Sequence, residues 1–384
     1  MTPTNTTPVR KPATRRRAIL GNLLVLAVTL IVGALLGEFA VRMFRPQQLI
    51  VPRPEMYRAD NLFGWRHREN VDTTLNSGEG LIRFNTDARG YRIDPKTVHP
   101  KADVRVLMLG DSFLEATGVR TEAVVSELLQ TDIANATHKS VIVDNTGVGG
   151  WDPNQYLLEA KRAFAGNSYD LGIVMIYIGN DFVTKIATSY PPRQPSQLHS
   201  FRMPKKLTSK EWIDAILYPI NDTLETRSHL FQLVKKQMDI PLSWLGLTAS
   251  YFPPVFLLTD QSSSRWDVTT TICRSIAEEF ASHKVPVIFV LVPTPYQVDK
   301  DTFETYRRAF KIDPKSVDLE QPNKLMNTRL RQANLTVLDP LEEMRKVEDQ
   351  GQELYGSFDS HLNANGHKEL AKLLMPFIAS SLVH

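Results

Sequence analysis

Four short stretches of this chain carry residues whose types suit one chemistry. Asp111 and Ser112 end the apolar run "VRVLMLGDS", and Asn145, Gly147, Gly149 and Gly150 follow "SVIVD". Asn180 and Asp181 follow "LGIVMIYIG", and Asp359 and His361 stand in "SFDSHLNANGH". A serine hydroxyl is a weak nucleophile at neutral pH and needs a base within hydrogen-bond reach. Imidazole can take that proton and return it, and a carboxylate beside it fixes its tautomer. Attack on an ester carbonyl creates an oxyanion, which needs donors already aimed at it. Gly150 offers a backbone N–H where a side chain would block approach, and Asn180 offers a side-chain amide. Ser112 adds its own N–H if it opens a helix, where N–H groups are unpaired.

Each residue alone has a plainer reading. A serine after a strand is ordinarily a helix cap, and "GND" is ordinarily a turn. "GVGG" is followed by Trp151-Asp152-Pro153, so it is not a dinucleotide fingerprint. His367, six residues after His361, reads as a packing or surface residue. The two histidines lack the i, i+4 spacing of a helical metal pair, so no metal or cofactor is expected. Asp181 reads as a residue that orients Asn180 or its loop.

The elements that must bring these residues together alternate. Strand-like runs at "VRVLMLG", "SVIVDNTG", "LGIVMIYIG", "VPVIFVLVP" and "LTVLDP" are separated by segments of helical spacing. The helical segments include "EAVVSELLQTDIAN", "NQYLLEAKRAFAG", "DVTTTICRSIAEEFASH", "PNKLMNTRLRQAN" and "ANGHKELAKLLMPFIASSL". Continuous apolar strands between helices predict a three-layer α/β/α sandwich around a mainly parallel sheet. In such a sheet ligands bind beyond the carboxyl ends of the strands, where all four stretches fall. Residues 182–260 interrupt the rhythm and read either as extra core packing or as a lid or substrate wall. Trp244, Tyr251 and Phe252 in that insertion offer contact with a membrane surface as a further alternative. Residues 42–100, with Trp65, Asn85 and "ARGYRI", read as short strands and loops leading into a domain over 101–384.

The chain has 384 residues, 42% of them hydrophobic and 23% charged, with a formal net charge of +3. That balance suits a globular protein and gives no reason to expect a nucleic-acid partner. The single cysteine, Cys273, cannot form a disulfide within the chain and reads as a buried thiol. Residues 18–36 carry no charge and are long enough to cross a bilayer as a helix. Arg10, Lys11, Arg15, Arg16 and Arg17 precede them, which places the tail over 1–17 in the cytoplasm and the rest outside. A retained single-pass anchor over 18–41 is therefore expected, with a cleaved signal or a twin-arginine leader as the competing readings. Gly33 and Gly37 have the G-x-x-x-G spacing of a helix-pairing face.

From "LGDSF" onward the chain resembles the SGNH/GDSL hydrolase superfamily, named for residues in four blocks. Gly110-Asp111-Ser112 matches the first block, "NTGVGGWDPNQYLL" the second, "YIGNDF" the third and "DSHLNANGH" the last. The resemblance implies a flavodoxin-like fold with Ser112 as nucleophile, His361 as base and Asp359 as its carboxylate partner. It implies an oxyanion hole of Ser112, Gly150 and Asn180. The usual last block has three residues from Asp to His; here Asp359 and His361 are two apart, as in relatives of exported-polysaccharide acetylation. "RFNTDARGYR" also looks like the lead-in of membrane-anchored bacterial members. The implied activity is a serine esterase with a domain in the periplasm or outside the cell. Its first-choice substrate is O-acetylated exported carbohydrate. An O-acyltransferase, a lipid or lysophospholipid esterase, and a silent scaffold with an envelope-complex partner are the alternatives.

Overall fold

The structure is a computed structural model and describes residues 12–96, 101–193, 220, 223–244, 252–309, 312–357 and 360–382. The chain opens with helix α1 (Pro12–Phe44). Two antiparallel hairpins follow, β1 (Tyr57–Asp60) with β2 (Gly64–His67) and β3 (Asp72–Leu75) with β4 (Ile82–Asn85). The central sheet contains β5 (Val104–Leu109), β6 (Val141–Asn145), β7 (Leu171–Tyr177), β8 (Val287–Val292) and β9 (Thr336–Leu338). Its order is β6-β5-β7-β8-β9 and every neighbouring pair is parallel. Counted within the sheet that is 2-1-3-4-5, the flavodoxin-like arrangement, whose direction of winding reverses between β5 and β7.

The strand pleat divides the core into two. On β5, Val106 and Met108 join one apolar cluster while Leu107 and Leu109 join another, as alternate residues must on opposite faces of a sheet. The first cluster is covered by α2 (Ser112–Glu115), α3 (Val125–Thr137) and the terminal helix, which brings in Leu370, Leu374 and Ile378. The second is covered by α4 (Pro153–Phe164), through Tyr156 and Ala160, and by a helix over Arg265–Ser282, through Ile272 and Ile276. The central strands β7 and β8 are thus shielded on both sides, which is why their sequences are continuously apolar rather than alternating. Cys273 is buried in the second cluster, and burial pushes its thiol pKa up. Helices over Pro295–Val298, Lys300–Ala309 and Leu341–Asp349 are additions to the pattern read from the sequence.

The lead-in is folded onto this sandwich. Trp65 and Phe63 belong to the second cluster, and Phe63 stacks on Trp151 with ring centroids 5.0 Å apart. Arg92 is 2% exposed and its backbone bridges to Asn145 at the end of β6.

Helix α1 includes one stretch, Arg17–Phe44, long and apolar enough to cross a membrane. Its end is held by the insertion. Glu38 accepts hydrogen bonds from the Ser228 hydroxyl and from the N–H groups of His229 and Leu230, where α5 (His229–Trp244) begins. Gly37 faces the Leu230 side chain. At the other end of the insertion, half-buried Phe252 packs against the second cluster, 5.6 Å from Phe256 and 5.7 Å from Tyr296. Tyr251 and the Trp244 side chain lie outside the described residues.

Candidate active site

At the end of β5 the chain turns directly into α2. Asp111 caps that helix, its Oδ1 accepting the Phe113 N–H at 2.9 Å. Ser112 is the first helical residue and stands at the carboxyl edge of the sheet, beside the point where the winding reverses. His361 comes from the loop before the terminal helix (Ala364–Leu382), and its Nε2 lies 2.7 Å from Ser112 Oγ. The two residues are 249 positions apart in sequence.

Both partners are held from behind. The Phe113 ring stacks on Tyr177 at 3.7 Å and lies 4.6 Å from the His361 imidazole. Gly356 N–H donates to His361 O at 2.8 Å, and the Tyr355 hydroxyl ties that loop to Pro293 O past the end of β8. Asp359 lies outside the described residues. His367 is buried and accepts the Val125 N–H through Nδ1 at 3.3 Å. Burial, with Arg92 and His361 nearby, lowers its pKa to about 3, so it is a neutral packing residue as the sequence suggested.

The oxyanion candidates occupy the neighbouring strand ends. The loop after β6 presses against α2: Asn145 donates from Nδ2 to Leu114 O at 3.0 Å and accepts the Gly147 N–H through Oδ1 at 3.0 Å. A Cβ on Gly147 would sit 2.4 Å from Glu115 N, so only glycine allows this approach. Gly150 is exposed at the end of the loop with φ +76°, a conformation that favours glycine. Asn180 is exposed just past β7, the strand paired with β5. Next to it Asp181 is fully buried, with Oδ2 accepting from Tyr177 N at 2.8 Å and from the Tyr156 hydroxyl at 2.9 Å. Asp181 therefore locks the turn that presents Asn180.

Two acidic groups under the serine stand out. Asp111 is buried, and its Oδ2 is 3.5 Å from Ser112 Oγ. Burial pushes its pKa up to about 6; Glu115 adds to the rise, while the Phe113 N–H and His361 oppose it. Burial and Asp111 push Asp181 up as well. Glu115, three residues after Ser112, is the group that sequence reading missed. Its Oε1 accepts the Tyr57 hydroxyl at 2.6 Å and lies 2.6 Å from His67 Nε2. Arg92 donates to the carbonyls of Glu115, Ala116 and Val119, closing the C-terminal end of α2. The signals were a charged residue inside the apolar "SFLEA" and the arginine of "GYR", neither of which names its partner.

No protein-family profile matches the chain, and no curated protein matches it either. Solved structures do. A member of the lipolytic G-D-S-L family from Veillonella parvula is 14% identical, with 71% of this chain and 97% of that one covered, at a TM-score of 0.36. A lipase/acylhydrolase from Enterococcus faecalis is 14% identical over 72% and 95% of the two chains, at 0.38. An acetylxylan esterase from Geobacillus stearothermophilus, solved as a catalytic mutant, is 11% identical over 73% and 95%, at 0.39. Several of the solved structures that match are G-D-S-L or other lipolytic proteins, and one is an acetylxylan esterase.

Proposed function

We propose that the chain is a membrane-anchored serine esterase of the SGNH type. The observation that carries this reading is the hydrogen bond of 2.7 Å between Ser112 Oγ and His361 Nε2 at the carboxyl edge of a parallel sheet. Ser112 Oγ attacks the ester carbonyl as its proton passes to His361 Nε2, with Asp359 assigned as the carboxylate that steadies the imidazolium. The N–H groups of Ser112 and Gly150 and the Asn180 amide receive the oxyanion. His361 returns the proton to the leaving alcohol, and water then attacks the acyl-enzyme by the reverse path.

A short acyl group on an exported carbohydrate is the substrate class we favour. A cleft of about 790 Å³ lies beside the His361 loop, lined by neither Ser112 nor His361 but largely by polar residues, among them Asp299, Thr302, Glu353, Ser357 and Ser360. Such a lining suits sugar hydroxyls better than a long alkyl chain. A sugar hydroxyl in place of water would make the same site an O-acyltransferase. The apolar stretch of α1 and its basic flank support an anchor with the hydrolase domain outside the cytoplasm.

The test uses the full chain in detergent. The wild type should hydrolyse p-nitrophenyl acetate, and Ser112→Ala should reduce turnover to background while keeping the melting temperature. Equal rates in the two proteins would favour a silent scaffold and refute the esterase reading. Acetylated oligosaccharide, with free acetate measured against acetyl transferred to a second sugar, separates hydrolysis from transfer.

A further inference from the structure

Trp65 lies outside all four sequence blocks, on the second strand of the first lead-in hairpin, and yet it reaches the oxyanion loop. Its indole Nε1–H donates to Gly149 O at 3.0 Å across 84 residues of sequence. The C=O of Gly149 and the N–H of Gly150 belong to one peptide group. That group is planar and trans, so its C=O and N–H point in opposite directions. A bond that fixes the carbonyl therefore fixes where the Gly150 N–H points. We infer that Trp65 is a positioning residue that aims the Gly150 N–H of the oxyanion hole; this rests on the esterase reading above.

Three further observations support the assignment. Gly150 at φ +76° and its glycine neighbour form a flexible pair, the kind of peptide that can flip unless something holds it. Trp65 is itself held: the Trp151 indole N–H donates to Trp65 O at 2.9 Å, and the Trp65 ring is 6% exposed. Both tryptophans donate through the indole N–H, Trp65 to the loop at Gly149 O and Trp151, at the end of that loop, back to Trp65 O. The loop is also pinned from the serine side, since a Cβ on Gly149 would sit 2.7 Å from Glu115 Oε2. The loop is thus braced on both sides of the peptide, and among the described residues Trp65 is the side chain that hydrogen-bonds the Gly149 carbonyl.

Trp65→Phe removes the donor while retaining an aromatic ring, and Trp65→Leu serves as a second variant if packing suffers. Turnover of p-nitrophenyl acetate is expressed per active site, counted by titration with a fluorophosphonate, so that a misfolded fraction does not enter. Complete loss of an oxyanion donor costs about 100- to 1000-fold in kcat, and a misdirected one should cost less, ~10- to 100-fold. KM should stay within about twofold, because the donor acts on the transition state. A kcat per titrated site within about twofold of wild type overturns the inference and leaves the esterase reading standing. So does a loss confined to KM. A wild type without Ser112-dependent turnover overturns both.

Discussion

Replacing Asp111 by Asn should make the protein more stable at neutral pH, although it removes a charge beside the nucleophile. Asp111 is buried, and its carboxyl is pushed up to about 6 from an ordinary 3.8. The folded chain therefore binds a proton more tightly there than the unfolded chain. Between about pH 4 and pH 6 the unfolded state has lost that proton and the native state has not, so stability falls as pH rises through the window. The gap corresponds to about 3 kcal/mol at ~1.4 kcal/mol per tenfold change. Asn keeps a carbonyl oxygen for the Phe113 N–H and carries no charge to desolvate. Urea titrations at pH 4 and pH 7.5 on both proteins measure the effect as a difference of differences. Asp111→Asn should gain about 2–3 kcal/mol on the wild type between the two pH values. The neighbouring Asp181 adds in the same direction, because removing the Asp111 charge eases its ionisation. Parallel stability curves for the two proteins would show that the Asp111 carboxyl is not held in its protonated form by burial, and the reasoning would fail.

Arg92→Lys should destabilise the fold by about 2–4 kcal/mol in the same denaturant assay, because one ammonium cannot replace a guanidinium that serves three carbonyls. A loss below about 1 kcal/mol would show that those carbonyls find other donors. Cys273 should resist iodoacetamide in the folded chain and react on unfolding in urea, since it is buried and its thiol is pushed up. Mass spectrometry of the alkylated peptide reads both states.

The sheet strands were legible because they are largely apolar and largely buried, most of all β7, with six of its seven residues buried. The pairing of Ser112 with His361 was legible only from the four blocks taken together, since each residue alone has a plainer local reading; the roles of Gly150 and Asn180 belong to the proposed function. The bracing around these residues was not legible. Tyr57, Trp65 and His67 sit in four-residue strands too short to show a period, and their partners Glu115 and Gly149 are 48 to 84 positions away. Such pairings leave no trace in spacing. The helix Lys300–Ala309 went unread for a different reason: none of its described side chains is fully buried, and Phe303 and Tyr306 are the only large apolar residues that mark a face.

The contrast bears on how a four-residue helix can hold a nucleophile in place. A single turn gains too little from its own hydrogen bonds to fix its orientation. The N–H end of α2 is tied by Asp111 and its middle by Asn145 from β6. Its carbonyl end is closed by Arg92, and its one buried acidic side chain, Glu115, is gripped by Tyr57 and His67. Three of those five residues lie before residue 101, in the lead-in rather than in the four blocks. Removing them would leave Ser112 and His361 in the chain but loosen the turn that sets their separation. A displacement of about 1 Å at a reacting atom costs on the order of 100-fold in rate. On the proposed esterase reading the lead-in is therefore part of the working unit: the blocks would supply the reacting groups, while Tyr57, His67 and Arg92 brace the turn that carries Ser112.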